Sequence, residues 1–204
     1  MSGRKKRARV PRRHAGEECG VLKDSETFRI ERLLPGPIER VWSYLTDPQR
    51  RRKWFGGGPM VLRAGGGVEL QFEFSGLSSE ATPADQENSC TIVGIVTRCE
   101  PPRLLSYTWG SEPDASEVSF ELEERGEQVL LMITHRRLKN QEMAVKVASG
   151  WHTHLDLLCD HLNDREPRPF WTTKTRLEGE YRERLGVMRE RTARSLRGES
   201  PITK

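Results

Sequence analysis

Residues 148–162 read "ASGWHTHLDLLCDHL" and combine three histidines, two aspartates and one cysteine with a regular apolar repeat. At about 100° per residue, the apolar side chains of this stretch and of the residues just before it fall on one stripe of a helix. We therefore predict one long amphipathic helix over residues 141–163, with this apolar face: Ala144, Val147, Trp151, Leu155, Leu158 and Leu162.

The chain before this helix is rich in strand patterns. The stretch "GGGVELQFEF" (65–74) alternates apolar and polar residues, and "SEVSFELEERGEQVLLMITH" (116–135) indicates a hairpin that turns near Gly126. Earlier, "ETFRIERLLP" (26–35) indicates a first strand, which two short helices follow. Successive antiparallel strands need an apolar cover on one face, and the long helix is the natural cover.

Charge divides the 204 residues into three parts, and the pI near 9.0 comes from the two ends. Residues 1–24 carry a net +5, residues 25–163 a net −5 and residues 164–204 a net +4. We predict a basic disordered N-terminal tail, one globular domain and a charged helical C-terminal extension, with these same boundaries. The acidic body gives no reason to expect nucleic acid, which only the tail could bind weakly. We expect the tail to be a plain solvated end; the alternatives are an arm that binds polyanions or, in a eukaryotic protein, a nuclear localisation signal.

Cysteine usage and hydropathy indicate a reduced, cytoplasmic protein. The four cysteines, at positions 19, 90, 99 and 159, show no C-x-x-C spacing. The sequence has no apolar signal-peptide core and no run near the roughly 20 apolar residues that a membrane span requires. We expect no membrane span and no cofactor.

The histidines of the long helix do not have the spacing of a metal site. Two helical histidines share a metal when they are four residues apart, whereas His152, His154 and His161 are separated by two, seven and nine. We expect His152 to form a surface hydrogen bond with Asp156, and Cys159 lies too far from His152 to form a nucleophile pair. His154 flanks the apolar stripe. We expect a boundary histidine whose hydrogen bonds are satisfied by water or a carbonyl oxygen; the alternative is that it lines any space between helix and sheet.

Three stretches carry a family resemblance. They are "VWSYLTDPQRRRKWF" (41–55), "EPPRLLSYTW" (100–109) and "GWHTHLDLLCDHL" (150–162). In this order the chain resembles the START-like helix-grip superfamily, also called SRPBCC, and within it the AHSA-type branch, named after activators of the heat-shock-chaperone ATPase. The resemblance implies an α+β helix-grip fold: a curved antiparallel sheet wrapped around a long C-terminal helix, with two short helices after the first strand.

The resemblance also implies an apolar cavity between sheet and helix that holds a hydrophobic small molecule. From the residue pattern, such a space would have Trp54 and Phe55 near its mouth. The alternative is that the same side chains simply fill the core. The other expected lining residues are Phe72, Phe74, Tyr107, Trp109, Phe120, Leu131, Trp151, His154 and Leu155.

Two further functions remain open from the resemblance. A cyclase, aromatase or hydrolase in the same cavity would depend on His135 and His154, which lack a third orienting group, so we expect binding rather than catalysis. The family name suggests a chaperone co-factor acting in stress response, although we expect this chain to lack the further domain that makes the chaperone contacts in eukaryotic activators.

The extension carries its own narrow apolar stripe, which contains Leu177, Tyr181, Leu185 and Met188. This stripe can dock on the body of the same chain. Alternatively, residues 170–197 can pack between two subunits of a homodimer or against another protein.

Overall fold

The structure is a computed structural model that describes residues 19–196, with side chains described as far as residue 186. Most of the predicted basic tail lies outside the described residues. Within them, the chain forms seven strands: β1 Val21–Leu22, β2 Phe28–Pro35, β3 Gly67–Glu73, β4 Ser89–Glu100, β5 Leu104–Trp109, β6 Ser116–Arg125 and β7 Gln128–Arg136. They form one open, curved antiparallel sheet in the order β1-β2-β7-β6-β5-β4-β3.

Four α-helices complete the α+β fold within the described residues. Two short helices follow β2, and two long helices end the described chain. Their bounds are α1 Ile38–Thr46, α2 Pro48–Arg51, α3 Gln141–Leu162 and α4 Phe170–Leu196. No helix among residues 19–196 combines the length and the apolar character that crossing a bilayer requires.

The structure contains the predicted hairpin, formed by β6 and β7. Phe120 pairs with Ile133 and Leu122 pairs with Leu131, and all four side chains are buried. Gly126, at the turn, has a φ of 64°, a conformation that glycine adopts without strain. The strand alternation in the sequence therefore determines which face of the sheet meets α3.

A buried arginine shapes the segment between α2 and β3. The second of the two predicted short helices, α2, ends at Arg51, whose guanidinium donates to the carbonyl oxygens of Gly56 (2.7 Å) and Gly58 (2.6 Å). These bonds fold the chain back on itself immediately after the helix. Trp54 and Phe55 consequently lie in a fixed loop that faces the core.

Helix α3 is buried on more of its surface than the apolar stripe predicts. Asn140 caps its first turn by accepting a hydrogen bond from the backbone N–H of Met143 (2.8 Å). His152 and Asp156, expected on the surface, are only 5% and 4% exposed. The expectation of a surface hydrogen bond was wrong because α4 covers this flank of α3.

Helix α4 docks on the body of its own chain through the predicted stripe. Leu177, Tyr181 and Leu185 are buried, whereas the side chain of Met188 lies outside the described residues. The Tyr181 hydroxyl accepts a hydrogen bond from the backbone N–H of Gly20 (2.9 Å). These three residues therefore dock on the body of the same chain, which is one of the two alternatives that the sequence left open.

The ordered body begins earlier than the boundary at residue 25 that the charge pattern indicated. Val21 and Leu22 form β1 and pair with Arg29 and Phe28 at the edge of the sheet. Backbone pairing with β2 and the hydrogen bond between Gly20 and Tyr181 hold this segment in place. The charge pattern, from which the boundary was predicted, contains no sign of either contact.

A buried ionic cluster fixes the connection between α3 and α4. Asp156 accepts from Arg168 at 3.0 Å and lies 3.5 Å from the guanidinium of Arg32 on β2. Arg168 also donates to Asp160 at 2.8 Å. The cluster thus joins the sheet, α3 and the segment that leads into α4.

Candidate ligand-binding site

A cavity of about 230 Å³ lies between the sheet and α3. Strands β3, β4 and β5 form one side, α3 forms the opposite side, and the first turns of α4 lie at one end. Seven of the residues that the sequence singled out line it: Phe55, Phe72, Phe74, Trp109, His135, Trp151 and His154.

Aromatic rings form most of the walls. Phe55 stacks on Trp151, with ring centres 4.9 Å apart, and meets the ring of Phe72 edge-on, also at 4.9 Å. At the other end, Phe74 stacks on Phe170, the first residue of α4, at 5.6 Å. The cavity is therefore a mainly apolar slot between flat side chains.

His154 is the polar group inside this slot with a free ring nitrogen. Its Nδ1 lies 2.7 Å from the carbonyl oxygen of Trp54, which can only accept, so Nδ1–H is the donor. Burial lowers the pKa of His154 to about 4, and the ring is neutral near pH 7. Nε2 therefore carries a lone pair, and it has no hydrogen-bond partner among the described residues.

His135 lines the same cavity but has both ring nitrogens engaged. The indole N–H of Trp151 donates to Nδ1 (3.0 Å), so the proton of the neutral ring is on Nε2, which donates to the hydroxyl of Ser116 (2.9 Å). Burial lowers the pKa of His135 to about 3. The ring holds Trp151 in place and presents no free nitrogen to a ligand.

Five predicted lining residues lie in the core beside the cavity: Trp54, Tyr107, Phe120, Leu131 and Leu155. Tyr107 stacks on Phe120 at 5.6 Å, below the end of β5, where Trp109 lines the cavity. These five side chains fill the core, as the alternative interpretation of the sequence predicted. Trp54 nevertheless contributes the carbonyl oxygen that orients His154.

Several lining residues were missing from the sequence prediction. Gly150 lies in the middle of α3, and a Cβ added there would meet no atom within 4 Å. A glycine inside a helix is about 1 kcal/mol less favourable than alanine. This cost is the one feature of the sequence that could have indicated a special role for Gly150. Phe170 comes from the extension, and the others are Cys90, Ile92, Lys146, Val147 and Lys174.

The two lysines at the mouth each have an acidic neighbour one helical turn away. Lys146 lies 3.0 Å from Glu142, and Lys174 lies 4.0 Å from Glu178. Lys174 also lies over the ring of Trp171, 5.6 Å from its centre. The mouth therefore combines both charge signs.

The three histidines of α3 face three different surroundings. His152 contacts Tyr181 on α4 (3.0 Å), His154 lines the cavity, and His161 contacts the carbonyl oxygen of Lys53 (2.8 Å). No group of three or more His, Cys, Asp or Glu side chains within residues 19–196 is arranged to hold a metal ion.

A curved antiparallel sheet that grips a long helix, with an apolar cavity between them, defines the START-like helix-grip class. The model of one family within this class, described as "Activator of Hsp90 ATPase homolog 1-like protein", matches residues 35–163. The chain belongs to this AHSA-type family.

Solved structures of similar proteins support the fold. A protein of Bordetella parapertussis, known from a solution NMR structure, is 41% identical over 87% of this chain and 95% of its own, with a TM-score of 0.71. CalU16 from Micromonospora echinospora is 27% identical over 78% of this chain and 87% of its own, with a TM-score of 0.58.

A conserved protein of Enterococcus faecalis is similar in fold at 20% identity, over 84% of this chain and 91% of its own, with a TM-score of 0.60. A comparison with curated proteins gave no match.

Proposed function

We propose that this protein binds a small apolar molecule in the cavity between the sheet and α3, without covalent chemistry. The observation that carries the proposal is the aromatic-lined cavity of about 230 Å³. An engineered apolar cavity of about 150 Å³ holds benzene, and drug-sized ligands occupy about 300–1,000 Å³. The expected ligand is accordingly small, with one or two rings.

Gly150 supports the proposal because it leaves this part of the cavity wall without a side chain. Alanine at this position would stabilise α3 and meet no steric obstacle, yet the sequence has glycine where the helix passes the cavity. A larger side chain here would reduce the space that a ligand can occupy.

The chemistry of the lining favours binding over catalysis. The lining residues include no carboxylate and no hydroxyl group. Burial raises the pKa of the Cys90 thiol, which makes it a poor nucleophile. His154 alone offers a free ring nitrogen, and general acid–base chemistry with no second group is a weak basis for an enzyme. The chaperone co-factor alternative stays a prediction.

The proposal is tested with naphthalene as the probe, whose binding to the full chain is followed by saturation-transfer NMR. We expect wild type to bind it and Gly150→Leu to lose at least about tenfold in affinity, because the leucine side chain occupies the cavity. The matched control is Gly179→Leu, an exposed helical position on α4 where an added Cβ also meets no atom within 4 Å.

Thermal unfolding confirms that both variants are folded. Naphthalene that fails to bind wild type, or that binds Gly150→Leu as tightly as Gly179→Leu, contradicts the proposal.

A further inference from the structure

We infer that the ligand is a neutral aromatic alcohol whose hydroxyl group donates a hydrogen bond to Nε2 of His154. The inference rests on the proposed binding function and names the chemical class of the ligand. It makes His154 the residue that selects ligands with a donor group over ligands of the same shape without one.

The proton on His154 is placed by its neighbour. The carbonyl oxygen of Trp54 lies 2.7 Å from Nδ1 and has no hydrogen to give, so the proton resides on Nδ1. The remaining nitrogen of a neutral imidazole is an acceptor. Among the described residues, none donates to this nitrogen, although the residue as a whole is only 6% exposed.

The imidazole ring lines the cavity, and its Nε2 is not fully buried there. A ligand that fills the cavity removes this nitrogen from solvent, and a desolvated acceptor without a hydrogen bond is unfavourable. The ligand itself can supply the donor. A hydroxyl group satisfies Nε2, whereas an ether or a hydrocarbon of the same size leaves it without a hydrogen bond. The discrimination therefore arises from desolvation of one nitrogen.

The polar groups of the lining favour a neutral ligand over an acid. Both nitrogens of His135 are engaged within the protein. Lys146 and Lys174 belong to the lining, but each lies within 4.0 Å of a glutamate one helical turn away, which partly neutralises its charge. The Nε2 lone pair of neutral His154 repels a carboxylate and accepts a hydrogen bond from a hydroxyl group.

The rings around His154 favour an aromatic body for the ligand. Phe55 meets the imidazole edge-on with ring centres 5.0 Å apart, and Phe170 lies on another side at 5.2 Å. A flat ligand in the slot can contact these rings while its hydroxyl group reaches Nε2. Aromatic pairs of this kind add to the stabilisation that apolar burial alone provides.

Isothermal titration calorimetry with four probes of nearly equal shape tests the inference on the wild-type protein. The probes are naphthalene, 2-methoxynaphthalene, 2-naphthol and 2-naphthoate. One neutral hydrogen bond corresponds to an affinity gain of about fivefold, so 2-naphthol should bind about fivefold or more tightly than 2-methoxynaphthalene. The carboxylate should bind more weakly than 2-naphthol.

The outcomes separate the two proposals. If naphthalene binds and 2-naphthol binds no more tightly than 2-methoxynaphthalene, the hydroxyl assignment is wrong and the binding function stands. If 2-naphthoate binds most tightly, the ligand is an acid and the inference is overturned. If no probe binds, the proposed function itself fails.

His154→Asn tests the residue. The asparagine amide can donate to the Trp54 carbonyl in place of Nδ1, but it has no acceptor at the position of Nε2. The advantage of 2-naphthol over 2-methoxynaphthalene should shrink to within about twofold in this variant, whatever the change in its affinity for naphthalene. An advantage that persists in this variant overturns the assignment, and if the variant does not fold, the four-probe comparison on wild type decides.

Discussion

We predict that the protein loses stability steeply between pH 7 and pH 5, because three buried histidines are held neutral in the folded state. Burial lowers the pKa of His135 and His152 to about 3 and that of His154 to about 4, against 6.5 in the unfolded chain. Between these values the unfolded state binds more protons than the folded state, so unfolding becomes easier as pH falls. The stabilisation is complete above pH 6.5.

The magnitude follows from proton linkage. At pH 5.0, relative to pH 8.0, each buried imidazole reduces the free energy of unfolding by about 2 kcal/mol, and the three together by about 6 kcal/mol. The total stability of a domain is typically about 5–15 kcal/mol. Acid of this strength should therefore unfold a large part of the population. Burial raises the pKa of Asp156, an effect of opposite sign that reduces the total.

Urea unfolding at pH 8.0 and pH 5.0, followed by circular dichroism, gives the free energy at each pH. The decisive variant is His154→Asn, which has no titrating group at this position. Its loss of stability between the two pH values should be smaller than that of wild type by about 2 kcal/mol. An equal loss in both proteins would show that His154 is not held neutral by burial.

Two further predictions concern the docking of α4. Asp156→Ala leaves the buried guanidinium of Arg32 and the partly buried Arg168 without a shared carboxylate, and we expect a loss of about 3–5 kcal/mol in urea unfolding; a loss below about 1 kcal/mol would contradict this. Glu80 accepts hydrogen bonds from two backbone N–H groups in the first turn of α4. Glu80→Ala should destabilise this turn by about 1 kcal/mol and speed its hydrogen exchange, whereas Glu87→Ala on the same loop should not.

Much of the fold was predictable because the sequence signals are local. The alternation in β6 and β7 determines which side chains face inward, and the stripe through Trp151 and Leu155 locates α3. Hydrophobic periodicity and turn-forming residues are recognised within about ten residues, so a single sequence is enough to find them. The start of the body was missed because Val21 and Leu22 are ordered by pairing with a strand rather than by their own pattern.

The site was predicted less completely because a cavity depends on where side chains end rather than on where strands run. Phe72 and Trp109 line the cavity, whereas Tyr107, on the same strand as Trp109 and also facing inward, packs in the core. Tyr107 and Trp109 are two positions apart on one strand, so the alternation of side chains places both on the same face of the sheet. Only the packing of neighbouring elements decides which of them meets open space.

The sequence by itself determined the α+β class, the gripped helix and the absence of metal-site spacing among the histidines of α3. The tertiary structure decided what each histidine does. Docking of α4 buries His152, and the Trp54 carbonyl places the proton of His154 on Nδ1. These contacts join residues that are about 30 and 100 positions apart, as His152–Tyr181 and His154–Trp54 show, so no local pattern encodes them. The free nitrogen in the cavity is a product of those long-range contacts.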